Sequence, residues 1–525
     1  MTKIKKCAFA LAAVAATTLS GCGKNYDVVF WSSFGGDYTQ YLNPIVEDIA
    51  DKLGYKVQHV SKKSYPGVLD AMVSSIATGK YPNVVVGYPD HFAQYHGSKI
   101  LLPLDDMVSA EMLADFDANY MPENYLYDQD GTKHLYGLPF NKSTELLGYN
   151  QVFVEYCDWK NPGKDLLNLP ATWDEWADYS NPESKVSIYM KEFEALVTGK
   201  EVWYASQDDA GHASNFEKSA SAVAGKTKVF DYSKSEWETC RLFTWDSTDN
   251  AFITLVRQWG SQYTVLPESQ YSITPKKRKG HVLFANNDNL GTTVDMLKYF
   301  NKMHKAHVFG TPSDFGTNTN FSSDSFKRGE VMFVVCSSGG LAHNTGTWQC
   351  RFKSAPIPYK TADKKFVISQ GADICMTKKG DSKKSFEFMK ALTTGEFQTK
   401  WAIDTGYFPA SKSSENHPDY IEFLNGTNYS DELAVYKREG AKTNHEHYSN
   451  AAENWQRFVD DAFIGSAKVR EIVGVILPNV FSQIKAADVE DDSKYYKEIK
   501  DILSQPVIKS NTNIAIELAD VLKNI

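Results

Sequence analysis

Two strand–loop–helix units followed by a third strand at the amino end constrain this chain more than any other feature. Tyr26 to Trp31 is a short β-rich run, followed by the loop Ser32-Ser33-Phe34-Gly35-Gly36-Asp37. Tyr38, Tyr41, Leu42, Ile45, Ile49 and Leu53 then recur at helical spacing and stop at Gly54, a residue that closes helices because it tolerates positive φ. Tyr55 to Val60 restores strand character, and Pro66 opens a second helix carrying Leu69, Met72, Val73 and Ile76. After Pro82, Val84-Val85-Val86-Gly87-Tyr88 is apolar enough for a strand covered on both faces. The order β-α-β-α-β predicts a parallel sheet with right-handed crossovers, the beginning of an open α/β lobe.

That topology predicts where a ligand sits. In open parallel sheets the crevice lies beyond the carboxyl ends of the strands, where loops and helix amino ends converge. The three loops present Trp31 with Ser32 and Ser33, then Ser64 and Tyr65, then Asp90 and His91. Singly, Trp31 reads equally well as a core residue and Tyr65 as a surface aromatic. Together, an aromatic face, a phenol and a carboxylate predict a binding constellation.

A length of 525 residues predicts two or more folded units. With 56 Lys and Arg against 65 Asp and Glu, and no basic run longer than Lys276-Lys277-Arg278-Lys279, the chain lacks the concentrated positive surface that nucleic acid requires. Lys3, Lys5 and Lys6 precede the apolar stretch Cys7 to Leu19, which has the length of a signal-peptide core and is too short to span a bilayer. It ends in Leu19-Ser20-Gly21-Cys22, which resembles a bacterial lipobox. Residues 1–21 are therefore expected to be a lipoprotein signal peptide, with Cys22 lipidated and the protein anchored outside the cytoplasm on the bacterial cell membrane. The plainer alternative is a secretory signal with Cys22 merely near the cut. Cys157, Cys240, Cys336, Cys350 and Cys375 follow at wide, irregular spacings, which is no disulfide or zinc framework; most are expected to be buried small hydrophobes.

Further along, Tyr136 to Asn150 holds a Gly and a Pro before a strand that enters different composition, as a crossover would. Thr172-Trp173-Asp174-Glu175-Trp176 carries a capping box, with the two tryptophans expected to pack. Residues 150–330 read as mainly helical with a loop-rich middle, and Asn215 to Lys228 and Tyr271 to Lys279 as surface loops. A buried strand over Val331 to Cys336 ends in Ser337-Ser338-Gly339-Gly340, where hydroxyls and backbone N–H groups meet at a turn. Gly371 suits a second crossover, and Trp401 to Pro409 a third. Arg470, among Val469, Ile472 and Val473, requires an acidic partner or an anionic ligand.

Catalytic and metal motifs are missing. There is no Gly-x-Ser-x-Gly elbow and no His-Glu-x-x-His. Gly225-Lys226-Thr227 imitates a P-loop but has Ala220 in place of its first Gly, and His445-Glu446-His447 lies in a polar stretch expected to be solvated. No cofactor, metal or catalytic residue is expected. Abundant carboxylates keep a lipid-anchored glycoside hydrolase as an alternative, and a surface adhesin as another.

Phe30-Trp31 before Gly35-Gly36, Gly79-Lys80-Tyr81-Pro82-Asn83, Leu138-Pro139-Phe140-Asn141-Lys142-Ser143-Thr144, Phe326-x-x-Gly329-x-x-x-Met332, Ser337-Ser338-Gly339 and Thr405-Gly406-Tyr407-x-Pro409 occur in order. In that ordered set the chain resembles the family 1 extracellular solute-binding proteins, the maltose and glycerol-3-phosphate type that deliver ligand to an ABC importer. The resemblance implies an α/β, two-lobed periplasmic-binding-protein-like fold with three interlobe crossings. It implies lobe I over 25–139 plus 371–405, and a helix-rich lobe II over 140–370 plus 406–525. The implied partners are a sugar, polyol or glycerophosphodiester and the permease subunits, with the protein monomeric. Positions similar to Tyr65, Ser143, Ser338, Gly339, Tyr407 and Arg470 line the cleft in the glycerol-3-phosphate-type members. Asp90 stands after Pro89 where those members carry a ligand-binding Glu; Thr144 and Ser337 adjoin matched positions. Trp31 and Trp245 join the expected site by chemistry and place in the chain, as stacking faces.

Overall fold

The computed structural model describes residues 25–503, apart from 129–130, 209–210, 266–280, 287, 317–320, 345–350, 427–431, 464–465 and 486–491. The signal segment, Cys22, the basic cluster, the Tyr271 to Lys279 stretch and Cys350 lie outside the described residues. The amino-terminal units form as the spacing predicts: β1 (Val28–Ser32), α1 (Asp37–Leu53), β2 (Val57–Ser61), α2 (Tyr65–Ile76) and β3 (Val84–Gly87). Gly54, at φ 68°, ends α1. Ser64 caps α2 by accepting from the Gly67 amide at 3.1 Å. β1 lies parallel to both β2 and β3.

The sheet continues through β4 (Gly137–Asn150), β5 (Arg241–Trp245), β6 (Phe309–Gly310), β7 (Val331–Ser337), β8 (Phe352–Ala355), β9 (Phe366–Met376) and β10 (Gln456–Phe458). Its order is β6-β5-β7-β4-β9-β3-β1-β2, with β8 on β4 and β10 on β9. The long antiparallel strands β4 and β9 join two separate cores. Leu138 and Phe140 of β4 pack with Val28, Phe30, Ile374 and Trp401. Leu146 and Leu147 of the same strand pack with Trp173, Phe243 and Phe333. A single strand thus leaves one hydrophobic unit and enters the next, with Asn141 to Glu145 in between.

Gly371 is opposite Lys142 at this passage. Its φ is 104°, and a Cβ there would lie 1.8 Å from the Asn141 carbonyl oxygen, so the close strand approach admits only glycine. The third passage follows α6 (Gly395–Thr405), which itself follows α5 (Ser382–Thr393). After Gly406, the Phe408 amide donates to the Lys142 carbonyl at 2.7 Å, laying this segment against β4. Lys142 is fully buried, with Nζ 2.6 Å from Glu123 and 2.5 Å from Asp373. Burial opposes its charge, but Asp373 and Glu123 outweigh that and hold it ionised.

Two differences from the sequence expectation stand out. Residues 202–207, 213–218 and 227–231 form a three-stranded antiparallel sheet where helices and loop were expected. Ala213, Phe216, Val229 and Phe230 of these strands are buried, while Ser214, Glu217, Lys218 and Lys228 are exposed, so the polar residues that suggested loop face solvent. Residues 411–413, grouped by sequence with the second lobe, bond to the first. Ser411 bridges to Phe116, and the Ser413 amide donates to Asp115 at 2.8 Å. The capping box at Thr172 and Glu175 forms, and Trp173 and Trp176 are buried. Cys157, Cys240, Cys336 and Cys375 are free and buried.

Candidate ligand-binding cleft

A cavity of about 610 Å³ opens beside the passage between the two cores. From the first core come Tyr65, at the start of α2, and Tyr88-Pro89-Asp90, where β3 runs into α3 (Pro89–Gly97). From the second come Asp249 and Asn250 at the amino end of α4 (Thr248–Trp259), Tyr263, and Arg470 of α7 (Ser466–Val473). Gln370, in β9, joins the two sides, its Oε1 accepting from Asn250 at 2.8 Å.

Arg470 organises the second wall. Its guanidinium lies 3.0 Å from Asp249 and also donates to Asp460 and Asn250. Burial opposes its charge, and Asp249 and Asp460 overcome that opposition. Burial also lifts the Asp460 carboxyl above its ordinary range, with Arg470 pulling it back only in part. On the first wall, the Tyr65 and Tyr88 rings lie 4.2 Å apart at 34°. Asn141 donates to the Tyr65 hydroxyl at 3.3 Å and accepts the Trp401 indole N–H at 2.7 Å, which fixes its own orientation. Asp90 accepts from the His91 amide at 2.8 Å, within the first turn of α3.

Tyr65 also borders a second space of about 970 Å³, shared with Tyr38 and Tyr407. Tyr407 packs against Gly339, where a Cβ would approach its ring to 2.6 Å. The Tyr38 hydroxyl donates to the Gly339 carbonyl at 2.9 Å, so α1 and the turn after β7 touch across the division.

The expected site residues therefore divide. Tyr65, Asp90 and Arg470 line the first cavity, and Tyr407 the second. Ser143 pairs with Gln370 in the passage, and Thr144 spends its hydroxyl on the Ile368 carbonyl at 2.7 Å. Ser337 accepts from the Gly339 amide at 3.3 Å, while the buried Ser338 hydroxyl has no partner. Trp245 is fully buried rather than a stacking face. Its ring stacks on Trp173 at 6.2 Å and its indole donates to Glu145 at 2.8 Å. Trp31 likewise lies away from both cavities. It packs toward the cluster of Val68, Met72 and Val85, and Lys62 Nζ covers its ring at 3.7 Å.

Tyr88, Asp249, Asn250, Tyr263, Gln370 and Asp460 were not among the expected residues. Tyr88 obeys the strand-end rule that picked out Asp90, one residue earlier than the loop itself. Asp249 and Asn250 follow the end of β5 in the same way. Asp460 stands between β10 and α7 in a segment without periodicity, and carries no local signal.

A family model described as bacterial extracellular solute-binding protein matches residues 45–423. The sn-glycerol-3-phosphate-binding periplasmic protein UgpB of Escherichia coli K12 is 22% identical over 405 residues, covering 74% of this chain and 75% of that protein. Among solved structures, UgpB from Mycobacterium tuberculosis in complex with glycerophosphocholine superposes with a TM-score of 0.60 at 16% identity, over 92% of this chain and 100% of that one. The GacH receptor of Streptomyces glaucescens, solved unliganded and with acarbose, gives 0.58 at 13% identity over 91% and 98%. These neighbours share the two-lobed α/β fold.

Proposed function

Because the chain belongs to the bacterial extracellular solute-binding protein family, we propose that it captures a sugar, polyol or glycerophosphodiester between two lobes and hands it unchanged to a membrane permease. The observation that carries this reading is a polar and aromatic cavity walled from both cores, beside the strands that pass between them. Lobe I would comprise 25–139 plus 371–405, and lobe II 140–370 plus 406–525, with the contacts of 411–413 tying the two together. Closure would bring Tyr65, Tyr88 and Asp90 toward Asn250 and Arg470, burying the solute and forming the surface that the permease meets. The E. coli relative is named for glycerol 3-phosphate and the structural neighbours were solved with glycerophosphocholine and acarbose, which sets the solute class to test first.

Ser143, Ser338, Gly339 and Tyr407 would act at the rear of the cleft. Thr144 and Ser337 would shape it through the backbone bonds they already make. Cys22 would carry the lipid that holds the mature protein at the cell surface. Among the described residues no helix is long and apolar enough to cross a membrane. Isothermal titration against sugars, polyols and glycerophosphodiesters tests the capture: saturable binding of one class, with an affinity changed at least tenfold by Arg470→Ala, is expected. Unchanged affinity in that variant removes Arg470 from the site. Turnover of the bound solute on prolonged incubation would contradict a binding role.

A further inference from the structure

We propose that the solute held in the first cavity carries a protonated amine, received between the Tyr65–Tyr88 pair and the carboxylates of Asp90, Asp249 and Asp460. This rests on the solute-binding reading and narrows its ligand. The charges point that way. Arg470 is the one cationic side chain among the described residues lining this cavity, and it is already met by Asp249 and Asp460. Arg257, behind the wall, stacks on Phe458 at 4.2 Å and stands near Asp461 and Asp460. Asp90 accepts the His91 amide and lies within the field of Arg470, but the ring it faces, that of His91 at 3.8 Å, is kept neutral by burial, which lowers its proton affinity. Six carboxylates, those of Asp90, Glu123, Asp249, Asp460, Asp461 and Glu471, thus line the cavity against Arg470 on its wall, with Arg257 and the Glu123-paired Lys142 behind, an excess that a cationic guest relieves.

Polar groups without partners mark the same space as built for a guest. The Tyr263 hydroxyl, on a side chain 2% exposed, and the Ser369 hydroxyl, on one 4% exposed, have no hydrogen-bond partner, and both residues line the cavity. Buried hydroxyls are nearly always bonded, so these two await donors or acceptors from a ligand. A bare anion is disfavoured for a further reason. The amino ends of α3 and α4, which would attract one, already hold Asp90 and Asp249 in their first turns. No group of three His, Cys, Asp or Glu side chains among the described residues is placed to hold a metal ion. The paired phenol faces favour an organic cation as well.

The test is calorimetric titration of the purified mature protein with matched solutes: glycerol against 2-amino-1,3-propanediol, glucose against glucosamine, and glycerophosphoglycerol against glycerophosphoethanolamine. N-acetylated forms of the amines serve as controls whose nitrogen is uncharged. In at least one pair the amine should bind tenfold or more tightly than its amine-free partner, N-acetylation should abolish the advantage, and Asp90→Asn should narrow it. Amine-free members binding as tightly as the amines overturn this assignment and leave the solute-binding reading intact. No binding by either member of any pair overturns both.

Discussion

Glu145, beside the passage between the two cores, is 1% exposed; its Oε1 accepts the Trp245 indole N–H, and its Oε2 has no partner. Burial, eased only in part by Trp245, pushes its pKa up to about 8 from an ordinary 4.5. The folded chain therefore keeps a proton that the unfolded chain releases, and the stability this supplies is full below pH 4.5 and lost as pH rises to about 8. Glu145→Gln keeps the acceptor for Trp245 and removes the titration. Urea unfolding should show a flatter loss of stability between pH 5 and 8 in the variant, with a gain on the order of 2 kcal/mol at pH 8; parallel profiles would contradict the assignment. Lys142→Met leaves Glu123 and Asp373 buried without their cation, and should lower the urea-derived stability by about 3–5 kcal/mol. Residue chemistry was partly legible in the sequence. Arg470 was expected to need an acid or an anion, and the structure supplies Asp249 and Asp460. Trp245 misled because every residue of β5 is buried, so alternation along the strand carries no information about which face meets the cleft.

At the scale of elements, the βα units were legible because their signals are local: an opening at Pro66, a stop at Gly54, an apolar run at Val84 to Val86. The sheet over 202–231 was not, since its strands are short and one face is solvated. Gly371 was legible as a break, but the reason, a carbonyl oxygen in the path of any Cβ, belongs to the pairing of β4 with β9. Gly371→Ala should destabilise the chain by more than about 2 kcal/mol in thermal or urea unfolding. An unchanged midpoint would mean that the passage can shift to make room. The Tyr38 contact is the gentler probe. Tyr38→Phe removes the bond to the Gly339 carbonyl, worth about 1 kcal/mol. It should weaken solute affinity about fivefold in titration while leaving the unfolding midpoint nearly unchanged, as expected if the bond favours closure more than folding.

The described residues hold two large hydrophobic units threaded by the same strands, with two smaller clusters beside them. The location of Asp460 and the joining of 411–413 to the first unit depend on distant partners, which no local pattern encodes. The account stands on reversible closure of those units around a solute. Small-angle scattering of the purified mature protein, recorded with and without a solute whose binding calorimetry has established, tests this most directly. A smaller radius of gyration at saturation, restored on dialysis, is predicted; a saturated protein with an unchanged profile would contradict it.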